Sequence, residues 1–244
     1  MKKFELTDEF ITNAFGNKLF RIKAIVDFGT IRAGELGGFV EKEENLSNDD
    51  NAWVSGNARV SDDARISDDA RISGNAQVSG NASVFGNASV SDDARISGNA
   101  QVSGNASVSG NAQVSGNAWV YDNAQVSGNA QVSGNAWVYD NAQVYDNAQV
   151  SGNASVSGNA QVYDNADYAV VEGFGRYFRA TTFFRCKDKI LRVQCGCFYG
   201  DLAEFREIVK KTHGDSKYAK EYLAIADLME LHFSDDEGRQ EAAE

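Results

Sequence analysis

The stretch Ala112-Gln-Val-Ser-Gly-Asn-Ala-Trp-Val-Tyr-Asp-Asn123 is two copies of a six-residue unit that recurs twenty times without insertion, with Ala at every sixth position from 52 to 166. Val or Ile follows two residues after the Ala in nineteen of the units, Tyr168 being the exception, and Asn or Asp precedes every Ala. A fixed period of this kind is read before any local propensity. At 100° per residue a six-residue step turns the apolar position by about 240°, so a helix would scatter it around the cylinder. In an extended segment Ala and Val point to one face and their neighbours to the other. The Gly-Asn, Asp-Asn and Asp-Asp pairs between them tolerate left-handed backbone or satisfy it through a side chain. Each unit is therefore a short strand and a corner, and the array is a solenoid filled with Ala and Val.

One such unit cannot fold alone. Burying a Val is worth about 1.5–3 kcal/mol, whereas ordering six residues of backbone costs roughly 6–12 kcal/mol. Strand ladders, stacked corner Asn residues and neighbouring coils must supply the difference, so the stack behaves as a cooperative one-dimensional array with ends that need caps.

Read from its aliphatic residue, the unit Val-Ser-Gly-Asn-Ala-Gln resembles the hexapeptide repeat of left-handed parallel β-helices. That resemblance implies a mainly β fold with three hexads per triangular coil. Residues eighteen apart then stack, in six to seven coils about 30 Å tall at roughly 4.8 Å per layer. It also implies a homotrimer. The expected organisation is an N-terminal β cap over residues 1–50, the β-helix over 51–168 and a small C-terminal ββαα module with an acidic tail over 169–244.

In the cap, Phe20, Ile22, Ala24 and Val26 alternate as a strand, and Gly34, Gly37 and Gly38 are read as bends toward the first coil. Val40 and Leu46 keep the six-residue spacing to Ala52, which predicts one or two irregular hexads ahead of the regular ones. Gly34-Glu-Leu-Gly-Gly38 lacks the Lys-Ser or Lys-Thr of a phosphate loop. Beyond the coils, Thr181 to Cys186 and Ile190 to Cys195 flank Lys187-Asp-Lys189 as a hairpin. Asp201-Leu-Ala-Glu204 has capping-box spacing and opens a helix to about Thr212. A second helix, from about Ser216 to Phe233, carries Tyr218, Tyr222, Ile225 and Met229 on one stripe, with Leu228 and His232 beside it.

Net charge is −12. Residues 52–167 carry four Arg against eleven Asp, residues 176–220 carry eleven Lys or Arg against five acids, and the tail from Glu221 holds eight acids and one Arg. An acidic rod repels phosphate, so nucleic acid is not an expected partner. No apolar run reaches the length of a membrane span, the start carries no signal-like stretch, and three Cys suit a reducing compartment, so a cytoplasmic location is expected.

Many hexapeptide β-helix proteins are acyltransferases that use a His on a coil or projecting loop. Here the two His, His213 and His232, lie beyond the coils, and no loop interrupts them. Acyl transfer ranks third among the readings, and no catalytic residue, metal or cofactor is expected. Cys186, Cys195, Cys197 and His213 contain the atoms of a zinc site, but their spacing is not a zinc pattern, and buried thiols are the default reading.

Eighteen residues per coil align Trp119 with Trp137 and Tyr121 with Tyr139 on one outward face, with Phe85 two coils earlier, and Tyr145 with Tyr163 on another. Three readings fit: aromatic ladders that stabilise strands, a homotrimer interface, or a platform for a foreign partner. Arg59, Arg65, Arg71 and Arg95 read as solvated surface charges, the last three paired with their Asp-Asp corners. Arg176, Arg179, Arg185, Lys187, Lys189 and Arg192, interleaved with Tyr177, Phe178, Phe183 and Phe184, read first as an ordinary solvated hairpin or one docked against the acidic rod, and second as a surface for a small anionic ring.

The chain as a whole resembles uncharacterised hexapeptide-repeat proteins of phages and prophages, through Leu36-Gly-Gly-Phe39, Asn45-Leu-Ser47, Asn51-Ala-Trp53 and Cys195-Gly-Cys-Phe198. That implies viral origin and carries over no activity. The expectation is a non-enzymatic phage-type binding protein that interferes with a host protein or sequesters a small host signalling molecule. A structural scaffold is the alternative.

Overall fold

A computed structural model describes residues 2–234 of the chain. Three strands, β1 (Phe4–Thr12), β2 (Lys18–Ala24) and β3 (Leu36–Val40), precede nineteen two-residue strands, β4 to β22, which begin with Trp53–Val54 and Arg59–Val60 and recur every six residues to Gln161–Val162. These short strands form three parallel sheets in which each residue pairs with the one eighteen positions on, as Trp119 with Trp137 and Val120 with Val138. Three hexads therefore make one coil, and the sheet that begins with β4 is seven strands deep. The Ala and Val or Ile positions from Ala52 to Val162 are at most 1% exposed. The fold is a parallel β-solenoid with an aliphatic interior, as the period requires.

The corners are held by side chains as well as backbone. The first corner residue has positive φ, near +68° where it is Gly and between +50° and +59° where it is Asp62, Asp68, Asp92, Asp122, Asp140 or Asp146. The second corner residue, usually Asn, donates its Nδ2 to the Oδ1 of the residue one coil on. One column runs from Asn81 through Asn99, Asn117 and Asn135 to Asn153 at 2.9–3.1 Å and ends on Glu172 Oε1. The corner Asp carboxylates accept the next coil's backbone N–H, as Asp62 does from Gly80 at 2.9 Å and Asp68 from Gly86 at 2.8 Å. The second Asp of each pair is engaged too, Asp63 by Lys42 at 2.6 Å, Asp69 by Asn51 at 2.7 Å and Asp93 by Asn75 at 3.1 Å, and the ion pairs expected for Arg65, Arg71 and Arg95 do not form among the described residues. The carboxylates at positions 62, 68 and 92 turn along the stack instead of toward the strands.

The N-terminal cap extends one solenoid sheet to nine strands. Strand β1 pairs antiparallel with β2, β2 antiparallel with β3, and β3 parallel with β5 (Arg59–Val60). This covers the open edge of the first coil, and an irregularity between Leu6 and Phe10 interrupts the outermost strand. The first coil does begin early, but in a different register. Val40 pairs with Val60 and Leu46 with Ile66, twenty residues apart, so both occupy the Val column, not the Ala column. The two additional residues lie in residues 47–51, where Asp50 accepts from Ala52 N at 3.2 Å and from Asp68 N at 2.7 Å. Lys3, 3% exposed, inserts its ammonium here and donates to Asp50 O at 2.8 Å and Ala52 O at 2.9 Å. Burial pushes its pKa down despite the neighbouring Asp50.

Gly37 and Gly38 are not bends. They lie within β3, where a Cβ on Gly37 would come within 2.5 Å of Ile22 and 2.6 Å of Val54 O, so they are Gly because the cap strand crosses closely over the coil. Gly34, with φ of +90°, does turn the chain.

The C-terminal module is ββββαα where ββαα was expected. Strands β23 (Tyr168–Val171), β24 (Thr181–Arg185), β25 (Leu191–Cys195) and β26 (Phe198–Asp201) form an antiparallel sheet in that order. Helix α1 (Leu202–His213) follows with the capping box Asp201–Glu204, then α2 (Lys217–His232), N-capped by Ser216. The twentieth sequence unit has left the solenoid, since Tyr168 opens β23. On α2 the buried residues are Ala219, Tyr222, Ile225, Ala226 and Met229, whereas Tyr218, Leu228 and His232 face outward. The acidic stretch from Glu221 is part of α2 as far as His232; its last part, residues 235–244, lies outside the described residues.

Strand β24 closes the last coil. Phe184 joins the solenoid core while the adjacent Phe183 points to the helices, both fully buried. Ser155 N donates to Thr182 Oγ1 at 2.9 Å, and Ala160 bridges to Cys186.

Gly37→Ala is expected to lower stability by about 1–3 kcal/mol through overpacking, read as a lower urea midpoint. An unchanged midpoint would show that the cap does not press on the first coil.

Candidate functional site

The expected aromatic platform forms. Trp119 and Trp137 stack with ring centroids 5.5 Å apart and planes 9° apart, and Tyr121 and Tyr139 at 5.0 Å and 1°. Edge contacts at 6.4 Å and 6.3 Å join Tyr121 to both indoles. The spacing follows from the coil pitch, which sets side chains of one column about 4.8 Å apart. Trp119 and Trp137 remain 40% and 44% exposed, and the phenol rings are half-buried between them and the strands.

The neighbouring positions are Ser83, Gln101 and Ser155 in line with the Trp pair, with Arg65 beyond Ser83, and half-buried Phe85 and Ser103 and buried Ser157 in line with the Tyr pair; the corner carboxylates Asp122 and Asp140 flank the Tyr rings. The Tyr column ends beneath the C-terminal module, where Ser157 hydrogen-bonds Gln194 Oε1 at 3.3 Å. Burial raises the Tyr121 hydroxyl from 10.0 to about 12 and also raises that of Tyr139, so both rings are neutral over the physiological range. Tyr145 and Tyr163 form a separate pair at 5.3 Å and 37° on a different sheet.

The basic set of the module splits. Arg185 reaches Phe233 O at 3.0 Å and Asp167 at 3.6 Å, so it ties the module's last helix to the solenoid exit. Arg192 pairs with Asp188 at 2.8 Å, and Lys187 and Lys189 are exposed on the hairpin turn. Phe183 and Phe184 lie in the two cores, so they do not join the hairpin's cations at the surface, and Lys187 and Lys189 stand on it as in an ordinary solvated hairpin. Arg179 lies elsewhere, beside Tyr177 and Arg176 at the mouth of a cavity of about 210 Å³ whose wall includes His213 and Tyr222. The spacing within Gly173-Phe-Gly-Arg-Tyr-Phe-Arg179, two Gly among aromatics and guanidinium groups, was the legible signal for this loop. The contribution of His213 and Tyr222 depends on how α1 and α2 pack and had no sequence signal.

Cys195-Gly-Cys197 spans the end of β25 and the turn that follows it. Gly196, with φ of +62°, and Cys197 form the turn between β25 and β26, which leaves Cys197 exposed and Cys195 half-buried. Burial pushes the Cys186 thiol up. Among the described residues no three or more His, Cys, Asp or Glu side chains converge as a metal site, and no helix is long and apolar enough to cross a membrane.

Nine stretches, residues 64–77, 76–92, 94–110, 100–113, 112–128, 124–140, 130–146, 142–158 and 148–164, match the family model described as the YdcK beta solenoid repeat. No curated protein matches the chain. The coil region is thus similar to YdcK beta solenoid repeats, and the match leaves the N-terminal cap and the C-terminal module outside it.

A phenol held protonated by the fold contributes stability that is complete below pH 10 and lost as pH rises toward 12. The alkaline limb of the stability profile is therefore expected to weaken in Tyr121→Phe, together with loss of a phenolate absorbance step near pH 12. An unaltered titration in that variant would contradict the burial of Tyr121.

Proposed function

We propose that the chain is a non-enzymatic binding protein that assembles as a homotrimer through the face bearing Trp119, Tyr121, Trp137 and Tyr139. The observation that supports this most is the four-ring platform itself. Trp and Tyr are the residues that dominate interface energetics, and a contiguous exposed aromatic surface marks an interaction site. On a chain of net charge −12, the Ser, Gln and ring positions of this face carry no charge themselves and the acids beside them are the single corner residues Asp122 and Asp140, so two copies meet here with less repulsion than at the Asp-Asp corners. The threefold order comes from the resemblance to left-handed hexapeptide β-helices, in which closed cyclic symmetry satisfies each copy's surface.

With the resemblance to phage and prophage proteins as support, the proposed setting is an infected cell's cytoplasm, where the assembled protein would interfere with a host protein or sequester a small host signalling molecule. The uninterrupted coils and the neutral platform favour a binding role over acyl transfer. A purely structural scaffold is the second reading, favoured by the monotony of the coils.

Trp119→Ser/Trp137→Ser is expected to convert the trimer to monomer in native mass spectrometry while the β circular dichroism spectrum is retained. A trimer of unchanged mass in the variant would remove the platform from assembly.

A further inference from the structure

The cavity of about 210 Å³ in the C-terminal module lies between the sheet, α1 and the loop of residues 173–179. Its floor is apolar and aromatic: Phe205 meets Phe198 at 5.6 Å and Tyr222 at 5.8 Å, and Val209 adjoins them. Its roof is anchored. Gly175 N donates to Glu221 Oε2 at 2.9 Å, and Gly175 rests so closely on the Tyr222 hydroxyl that no side chain fits there. From this anchor the loop presents Arg176 and Arg179 with their guanidinium carbons 5.5 Å and 5.1 Å from the centroid of the Tyr177 ring.

Among the described residues neither guanidinium has a carboxylate within salt-bridge distance or a hydrogen-bond acceptor, although the chain carries 35 Asp and Glu. Two like charges held near one ring with no counter-ion repel one another, and an anion between them relieves that repulsion. Guanidinium groups suit carboxylate and phosphate because their fork of donors matches those oxygens. The volume falls below the roughly 300–1,000 Å³ of sites that engulf drug-sized ligands. It suits one planar ring system on the aromatic floor, with the charge left at the mouth.

We propose that this cavity binds a planar ring bearing an anionic group, the ring seated against Phe198, Phe205 and Tyr222 and the phosphate or carboxylate held by Arg176 and Arg179. The site belongs to the module and not to the solenoid face, so it does not depend on self-association.

The test is calorimetric titration of the full chain with the four ribonucleoside 5′-monophosphates and with indole-3-acetate, against the nucleosides and indole-3-ethanol as uncharged counterparts. Saturable one-to-one binding of at least one anion is expected, with its uncharged counterpart at least about tenfold weaker. A nucleotide result assigns a phosphate and an indole-3-acetate result a carboxylate. Arg176→Ala/Arg179→Ala, at exposed positions, is expected to weaken binding at least about tenfold. Thr212→Trp, which keeps both charges and fills the mouth, is expected to abolish it. The same affinity is expected in Trp119→Ser/Trp137→Ser, so failure of the trimer leaves this result standing. Absence of saturable binding by every probe, equal affinity for the uncharged counterpart, or unchanged affinity in either cavity variant would overturn the proposal.

Discussion

The corner is the constraint on which this molecule depends. Every sixth residue must take positive φ so that a strand of only two residues can turn onto the next face, which restricts that position to Gly or Asp. The residue that follows is most often Asn because a primary amide both donates and accepts, so one side chain can bond the coil above and the coil below. Gly removes the steric obstacle and Asn supplies the vertical bond. Where Asp replaces Gly, its carboxylate takes the backbone N–H one coil on, as at Asp92 to Gly110. The corner thus keeps each coil in line with the next, and the Ala and Val interior follows from that alignment.

Once columns are aligned, function can be placed on them with few residues. A Trp and a Tyr two positions apart in one hexad, repeated one coil later, yield a stacked four-ring surface with no change in backbone. The ends need a different solution because their ladders would otherwise remain open. The N-terminal sheet continues one face, and β24 covers the other end by sending Phe184 into the solenoid and Phe183 into a second core. The second core brings helices, a sheet and an arginine-bearing loop together around one cavity.

What could be read from the chain was what repeats. Ala and Val two apart define the interior, eighteen-residue stacking puts Trp119 on Trp137, and Asp201 with Glu204 starts a helix by local chemistry alone. The misreadings fall where tertiary contact decides. Gly37 and Gly38 carry negative or extended backbone and are Gly because Ile22, Trp53 and Val54 leave no room, a reason invisible in local sequence. Val40 sits in the Val column because residues 47–51 widen the corner around buried Lys3. Tyr168 and Phe198 begin strands whose partners are β24 and β25, and strands of four residues have too little periodicity to announce themselves. Arg185 looked like a surface cation and is tied down by Asp167 and the Phe233 carbonyl, forty-eight residues away.

The corner amide ladder can be tested by removing one column of it. Asn99→Ala/Asn117→Ala/Asn135→Ala deletes four successive side-chain bonds, from Asn81 to Asn153. At roughly 0.5–1.5 kcal/mol net for each bond, the loss in urea unfolding free energy should be about 2–6 kcal/mol. The matched control, Gln113→Ala/Gln131→Ala/Gln149→Ala, changes three outward strand positions of one column that lie off the ladder. A loss confined to the Asn column is the expected result. Equal stability of the two triple variants would contradict the corner as the interaction that holds the stack.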